Sequence, residues 1–417
     1  MGSFLLNLTI LNLFSQHQSS HSPFLLSLSS KQNANIINCG FSNFISPIIF
    51  NAKFFTISQT LFSNFIESPI KASTFQAEEN IYTDPLIIEH EESNISIIKC
   101  FFNHTSSRNN GGAIEFLSNP SKINIYECSF QGCFSNENDG IFNLDFASVV
   151  NISNCCFFDC YTKYSKKSNL FSISSSSSLV FDNNIISNCG ESASTLTLSS
   201  SYSISIKSST ILMNFNNFTK NNGNFISFDS SNAINSKITK TSIINSTTPK
   251  TQSFIRGLKN NNVNIEECNI VSNNLEGSAF FSSATSGIKI LNTYFLKNQF
   301  LEFVVKGESS RFTFNECILD FQPDFTIGTS NIVIEGETNT HKIDFPKENQ
   351  CLTVTTSPEP NQKRSWTTVG IFMGCGVFVI ILILIGLFFI LRGKGGRKFL
   401  AIAEVPSGYQ NIYDLKV

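Results

Sequence analysis

The feature that most constrains the fold of this chain is an internal repeat. Its units share one pattern: apolar, any, apolar, two further residues, a small or polar residue, any, apolar. The clearest copies are 123–130 (INIYECSF), 150–157 (VNISNCCF), 263–270 (VNIEECNI), 288–295 (IKILNTYF) and 312–319 (FTFNECIL). A chain that repeats a short apolar pattern at this interval stacks one structural unit on the next.

The units return at a nearly constant interval. We anchor them on the small or polar residue of each copy, at positions 39, 60, 100, 128, 155, 184, 209, 241, 268, 293 and 317. Apart from a step of 40 residues from 60 to 100, these anchors lie 21 to 32 residues apart. A second small or polar position follows three residues after the last apolar one: Cys133, Cys160, Cys189, Asn214, Ser246, Asn273 and Asn298.

Each interval contains further short apolar alternations, such as 113–116 (AIEF) and 225–228 (FISF). Alternation with period two predicts strands, and no helical period of useful length appears before residue 369. The spacing predicts an all-β fold, a right-handed parallel β-helix of about eleven coils that rises by about 5 Å per coil. We expect Phe, Ile and Val inside and Asn and Ser at the bends. A leucine-rich repeat needs Leu at other offsets.

Composition changes along the chain predict five regions. Residues 1–23 are a weak signal peptide or an incomplete first coil, because no positive charge precedes the apolar run and no clear cleavage site follows it. Residues 24–345 form the β-helix ectodomain with a C-terminal cap. Residues 346–368 form a polar stalk that contains prolines. Residues 369–391 are a transmembrane helix, and 392–417 a cytoplasmic tail.

The segment 369–391 (VGIFMGCGVFVIILILIGLFFIL) has no charge and no proline. At about 1.5 Å per residue it matches the thickness of a bilayer. Arg392, Lys394, Arg397 and Lys398 follow it, whereas Lys363 and Arg364 precede it. The excess of positive charge predicts a plasma-membrane protein with an extracellular N-terminal region and a cytoplasmic tail.

Two short motifs give a family resemblance. Gly111, Gly112, Ala113 and Ile114 form a GGAI element, and FxxN occurs at 181–184, 218–221 and 295–298. Both motifs resemble the repeats of polymorphic membrane proteins, although the GGAI element occurs here once. The resemblance extends over roughly residues 30 to 330. It implies a β-helical cell-surface protein with an adhesive role.

The cysteines recur at equivalent repeat positions, and two interpretations stay open. Cys133, Cys160 and Cys189 could form a ladder of disulfides between coils, since equivalent positions lie about 5 Å apart. Alternatively, small buried thiols fill a narrow interior. Zinc needs four converging ligands, which the spacing does not supply, so we predict no metal.

Several residues are candidates for modification or sorting. N-x-S/T sequons begin at Asn7 and at the five candidate glycosylation sites Asn94, Asn103, Asn151, Asn217 and Asn245. In the tail, Tyr409 and Ile412 fit YxxΦ, the signal that clathrin adaptors bind as an extended strand. A phosphorylated Tyr413 and a tail without a partner are the alternatives.

Charge and composition limit the function. A formal net charge of −2 gives no basis for nucleic-acid binding. Polysaccharide lyases and hydrolases with this fold need clustered acidic and basic groups, whereas Asp145, Asp159, Asp229 and Asp320 lie in separate units. We therefore predict no catalytic residue and no cofactor, and we expect adhesion or binding of a glycan or cell-surface ligand. A non-binding coat or spacer is the alternative, and an anchored polysaccharide lyase or hydrolase is the third reading.

Overall fold

The computed structural model describes the repeat region of the chain as a series of separate residue ranges. The described residues are 7–11, 13–18, 33–45, 47–50, 54–72, 94–108, 110–116, 122–136, 139–162, 168–191, 202–208, 210–228, 236–247, 253–257, 262–283, 287–306, 311–321, 332–334 and 351. Within them the protein is all β, with 37 strands and no helix. The predicted all-β class is therefore confirmed for the described residues. Every strand pair there is parallel, which is compatible with the predicted parallel β-helix.

The strands form four faces, named here in the order in which a coil visits them. The first face contains β1 (Asn7–Leu11), β3 (Asn33–Ile37), β6 (Phe54–Ser58), β9 (Asn94–Ile98), β13 (Lys122–Tyr126), the second halves of β16 (Phe142–Ser153) and β19 (Ser168–Asp182), β23 (Thr210–Asn214), β26 (Ser236–Thr239), β29 (Asn262–Glu266), β32 (Gly287–Leu291) and β35 (Arg311–Asn315).

The second face is a continuous sheet of 13 strands. It contains β2 (Phe14–Gln18), β4 (Gly40–Phe44), β7 (Leu61–Ser63), β10 (Phe101–Asn103), β14 (Ser129–Gln131), β17 (Cys156–Phe158), β20 (Ile185–Ser187), β24 (Asn217–Thr219), β27 (Ser242–Ile244), β30 (Asn269–Val271), β33 (Tyr294–Leu296), β36 (Cys317–Leu319) and β37 (Ile332–Ile334).

The remaining strands complete each coil. The third face contains β11 (Ser106–Ser107), β15 (Phe134–Ser135), β18 (Tyr161–Thr162) and β21 (Gly190–Glu191). The fourth contains β5 (Ile49–Phe50), β8 (Ile70–Ala72), β12 (Ile114–Phe116), the first halves of β16 and β19, β22 (Tyr202–Lys207), β25 (Asn224–Phe228), β28 (Ile255–Gly257), β31 (Asn274–Ser283) and β34 (Gln299–Lys306). Long strands such as β16 pass directly from the fourth face to the first. Strands β31 and β34 begin on the third face, where Asn274 pairs with Thr247 and Gln299, and continue onto the fourth.

The core is a set of columns in which equivalent residues stack from coil to coil. The inward column of the second face is Phe41, Phe62, Phe102, Phe130, Phe157, Ile186, Phe218, Ile243, Ile270, Phe295 and Leu319. The Phe130 ring stacks at 4.7 Å on Phe102 and at 5.0 Å on Phe157. In-register stacking therefore places the aromatic rings of this Phe-rich chain face to face.

Some predictions fall on other parts of the chain. Strands β1 and β2 pair in parallel with β3 and β4. The stalk, the transmembrane segment 369–391 and the tail with Tyr409 and Ile412 lie outside the described residues, apart from Cys351. Among the described residues, no helix of sufficient length and hydropathy to cross a bilayer is found. By contacts the chain divides into two units, 1–353 and 354–417.

Removing one ring from the stacked column tests the core. Phe130 is fully buried between Phe102 and Phe157, so we expect Phe130→Ala to lower the free energy of unfolding by about 3–5 kcal/mol. The neighbouring Gln131→Ala, at an exposed position, should stay within about 0.5 kcal/mol of the parent. Urea titrations of the full chain, followed by circular dichroism, measure both. Equal midpoints for the two variants would contradict the column.

Candidate functional site

The coils turn at two corners, each built on one residue with a left-handed backbone. The first corner lies between the first and second faces and uses Asn38, Gln59, Lys99, Glu127, Asn154, Asn183, Phe215, Lys240, Glu267, Asn292 and Glu316, with φ between 45° and 61° for both corners. The second uses Asn43, Asn64, His104, Gly132, Asp159, Asn188, Lys220, Asn245, Ser272 and Lys297. The expectation of Asn and Ser at the bends holds at only some of these positions.

Left-handed backbone is unfavourable for residues such as Lys, Glu and Phe. Hydrogen bonds between coils offset that cost: the Lys99 N–H donates to the Tyr126 carbonyl at 2.9 Å, and the Glu127 N–H to the Ser153 carbonyl at 3.1 Å. Because the corner side chains point outward, their chemical type is free to vary once the backbone is held. The sequence pattern of the repeat is therefore set by the residue that follows each corner rather than by the corner residue.

That following residue points inward and forms a ladder, which we call the first ladder. Its members are small or polar, and all are buried: Cys39, Thr60, Cys100, Cys128, Cys155, Asn184, Asn216, Thr241, Cys268, Thr293 and Cys317. Ten of these eleven residues are the small or polar positions that anchored the repeat in the sequence. The anchor at 209 was wrong: the ladder member of that coil is Asn216, because residues 202–207 belong to the fourth face as β22.

The ladder side chains satisfy backbone groups at the corner. Asn184 Oδ1 accepts from the Cys155 N–H at 2.8 Å, and its Nδ2 donates to the Ile152 carbonyl at 3.0 Å. The Cys100 and Thr60 side chains donate to the carbonyls two residues earlier at 3.3 Å and 2.9 Å. Thiol, hydroxyl and amide side chains thus occupy one position because each can donate to a buried carbonyl.

A second ladder follows the second corner. Its polar members are Thr105, Cys133, Cys160, Cys189, Asn221, Ser246, Asn273 and Asn298, so the predicted Asn214 is replaced by Asn221. Asn273 Oδ1 accepts from the Ser246 N–H at 2.9 Å, and Asn273 Nδ2 donates to the Ile243 carbonyl at 3.0 Å. The same seven-residue displacement accounts for both wrong assignments in this coil.

The candidate disulfide ladder is not formed in the structure. Cys133, Cys160 and Cys189 are free, buried thiols. The Cys160 N–H donates to the Cys189 sulfur at 3.4 Å, and the Cys160 thiol donates to the Phe158 carbonyl at 3.2 Å. Each thiol thus takes the hydrogen-bonding role that Asn and Thr have in other coils, which agrees with the alternative of a buried thiol stack.

The ladders explain the FxxN motif. In 218–221 and 295–298 the Phe lies in the second-face core, the third residue is the left-handed corner, and the Asn belongs to the second ladder. In 181–184 the same four roles fall at the first corner. The motif therefore shifts register between coils because it serves either corner.

The GGAI element has a backbone role. Gly111 has φ +62°, and a Cβ at Gly112 would lie 2.4 Å from the carbonyl oxygens of Phe134 and Gly140. The N–H groups of both glycines donate to the Asp139 carbonyl. Ala113 and Ile114 are buried core residues. The two glycines thus allow close approach of the next coil.

The outer surface of the first face is the candidate ligand surface, which we call the polar face. Its central column, in register over eleven coils, is Asn35, Thr56, Ser96, Asn124, Asn151, Val180, Leu212, Lys237, Asn264, Lys289 and Thr313. These residues are exposed or half-buried. They place amides, hydroxyls and ammonium groups on a regular surface with about 4.8 Å between coils.

Side chains on the polar face are linked to each other. Asn151 Nδ2 donates to Asn124 Oδ1 at 3.0 Å, and Lys237 Nζ lies 2.6 Å from Glu266 Oε2. At the adjoining corner, Lys99 Nζ lies 3.2 Å from Glu127 Oε2. A hydrogen bond with the Glu127 carboxylate raises the pKa of Tyr126 on this face. The surface is therefore polar and of mixed charge.

The five sequons differ in exposure. Asn94 at the start of β9 and Asn245 at the second corner are exposed. Asn103, Asn151 and Asn217 are half-buried, and each has a side-chain hydrogen bond: with His104, Asn124 and Thr219, respectively. Accessibility thus separates two sequons from the other three.

The structure brings together one pair of opposite charges that sequence spacing did not reveal. Lys71 Nζ lies 2.9 Å from Glu115 Oε2 on neighbouring coils of the fourth face, and the Glu115 side chain is almost fully buried. The 40-residue step in the repeat hid this pairing. Of the four aspartates, Asp159 lies at the second corner, Asp320 follows β36, Asp145 lies in β16, and Asp229 falls outside the described residues. In the described part of the chain, no group of three or more His, Cys, Asp or Glu could hold a metal ion.

A disulfide that the repeat pattern did not predict joins Cys156 to Cys351. Cys156 begins β17 and faces outward, next to the inward Cys155 of the first ladder. Cys351 is buried, and it falls within the predicted stalk 346–368. Cys351 belongs to the folded unit that ends at residue 353.

Comparisons with known proteins give no relative. No protein-family model, no curated protein and no solved structure matches this chain. The repeat, the two ladders and the polar face are therefore the basis for any functional inference.

Replacing one ladder amide tests the corner chemistry. Asn273→Ala leaves the Ser246 N–H and the Ile243 carbonyl buried without their partner, and we expect a loss of about 2–4 kcal/mol in unfolding free energy. Asn264→Ala, on the half-exposed polar face, is the matched control and should cost less than about 0.5 kcal/mol. Urea titration of the two variants measures both changes in unfolding free energy. A ladder variant as stable as its control would contradict the role of the ladder.

The ladder thiols predict a pH dependence. Burial raises the pKa of Cys268 to about 12, so the folded state keeps a proton that the unfolded state loses near the ordinary value of 9.0. Stability should fall as pH rises through this window, by about 1 kcal/mol per pH unit. Cys268→Thr removes the titrating group, and Thr241 and Thr293 already occupy this position in the adjacent coils.

The variant should therefore lose less stability than the parent between about pH 8 and about pH 11. Urea midpoints of the two proteins at several pH values measure the difference, since all other titrating groups are shared. Parallel pH profiles for parent and variant would show that Cys268 ionises normally in the fold.

Proposed function

We propose that this chain is a single-pass cell-surface protein whose right-handed parallel β-helix mediates adhesion by binding a glycan or another cell-surface ligand. The observation that carries the proposal is the polar face: a regular array of exposed or half-buried Asn, Ser, Thr and Lys side chains in nine of eleven coils, with Val180 and Leu212 in the other two. Amides and hydroxyls in such an array suit the hydroxyl groups of a carbohydrate, which both donate and accept hydrogen bonds.

The membrane anchor rests on the sequence. The uncharged segment 369–391 and the four basic residues that follow it support a helix with its C-terminal end in the cytoplasm. With this orientation the repeat region lies outside the cell at the plasma membrane. Tyr409 and Ile412 then lie on the side where a clathrin adaptor could bind them. The resemblance to polymorphic membrane proteins supports the same placement.

An extracellular repeat region would meet the glycosylation machinery. We propose Asn94 and Asn245 as the modified sequons, since both side chains are exposed. At Asn151 the Nδ2 atom that would carry the sugar already donates to Asn124. Asn103 and Asn217 are half-buried in the second face, so the proposal gives them no glycan.

Binding by full-length protein displayed on cells tests the function. Cells that express the chain should bind a glycan panel or a second cell type saturably. Asn124→Ala combined with Tyr126→Ala should weaken binding at least about tenfold, because both change the polar face. The control is Gln131→Ala on the second face, at a similar height in the stack and equally well displayed.

The outcomes separate the alternatives. Equal loss for the polar-face variant and its control would exclude the polar face as the ligand surface. No saturable binding by well-displayed protein would favour the coat or spacer. Release of product from a polysaccharide would favour the enzyme, with Lys71 and Glu115 as the first residues to replace.

A further inference from the structure

Most residues of one outward column of the second face are buried, as are the outward Glu115, Asn143 and Ser227 of the fourth face. The column, which we call the entry column, consists of Cys156 and the residues in register with it on the other strands of this face. Its buried members are Phe101, Ser129, Cys156, Ile185, Ser242 and Asn269, each no more than 7% exposed. In these three-residue strands the middle residue points inward, so the first points outward.

The second corner provides an internal comparison. The residue two positions after each corner has the same local geometry on the third face, and there it is not buried in this way. Ile66 is 46% exposed, Thr247 and Gln299 are exposed, and Phe134 and Tyr161 are half-buried. Local backbone geometry therefore does not account for the burial of the entry column. Some part of the chain must cover it from outside.

The disulfide shows which residue covers the entry column at Cys156. Cys351 is bonded to Cys156 in the entry column and packs in a small apolar cluster with Ile185 and Phe158. This cluster is separate from the main core. Cys351 is thus placed on the outside of β17 and β20, in the middle of the second face.

Chain length is consistent with this placement. The last described strand, β37, pairs with β36 at the far end of the second face, seven strands from β17 in the order of the sheet. Seven steps of about 4.8 Å correspond to about 34 Å. The 17 residues from Ile334 to Cys351 (351 − 334 = 17) can span up to about 56 Å when extended. The chain can therefore return from the end of the stack to its middle.

We propose that the part of the entry column between Cys156 and the last coil is an intramolecular docking surface for residues 335–351, the segment of this chain that ends at Cys351. The Cys156–Cys351 bond holds the end of the segment beside β17. The inference does not depend on adhesion or on the membrane anchor.

Alkylation of the full chain in detergent tests the proposal, with Cys155 as an internal control. Cys155 and Cys156 are adjacent, but Cys155 points inward and is fully buried. In the native parent without reductant, neither residue should react with N-ethylmaleimide, and digestion should yield Cys156 linked to Cys351. In Cys351→Ser, Cys156 should react at least about tenfold faster than Cys155, because its covering segment is no longer held.

Reduction of the native parent provides a second route to the same state. Tris(carboxyethyl)phosphine cleaves the bond to two thiols and is itself oxidised to the phosphine oxide. Cys156 and Cys351 should then be alkylated while Cys155 stays protected. Three results would overturn the proposal: Cys156 reactive in the untreated parent, Cys156 as slow as Cys155 in the variant, or Cys155 as fast as Cys156 after both treatments. The last result would show that loss of the bond also exposes the inward Cys155. The bond would then stabilise the core itself rather than hold a docked segment.

Discussion

The structure depends on satisfying the backbone groups at two tight corners in every coil. Parallel pairing on the faces satisfies the backbone hydrogen-bonding groups of the strands. Each corner, however, turns at one left-handed residue and leaves backbone N–H and carbonyl groups that face the interior. The side chain that follows the corner supplies the missing partner, as Asn184 does for Cys155 and Ile152. Since a buried unpaired polar group costs about 1–3 kcal/mol, one inward side chain per corner decides whether coils can stack.

This constraint explains the composition of the chain. The ladder positions accept thiol, hydroxyl or amide groups, which accounts for the recurrent Cys, Thr and Asn. Between the ladders, stacked rings such as Phe102 and Phe130 fill the interior. With the interior committed to packing and corner hydrogen bonds, the outward columns are free to differ. On the first face most are polar and exposed or half-buried, whereas on the second most of the entry column is buried and Cys156 carries the disulfide.

The repeat was readable because strand alternation and ladder positions recur at almost fixed spacing. The repeat pattern gave wrong ladder positions at 209 and 214. Strand β22 has the same apolar alternation as a first-face strand, so the predicted positions lie seven residues before the ladder residues Asn216 and Asn221. The left-handed positions were not predictable as a column, since backbone hydrogen bonds there tolerate Lys99, Glu127 and Phe215 alike. The Lys71–Glu115 pair and the Cys156–Cys351 bond join distant residues, and no local pattern marks such contacts.

The most direct test of this account is an experimental structure of the full chain, by crystallography or electron cryomicroscopy, at a resolution that separates strands. The account predicts that the rings of Phe102, Phe130 and Phe157 lie in one column, about 5 Å apart, on parallel strands, with Asn184 and Asn216 hydrogen-bonded between successive coils at the first corner. Antiparallel pairing of consecutive repeats, or side chains of the two ladders directed to solvent, would contradict it.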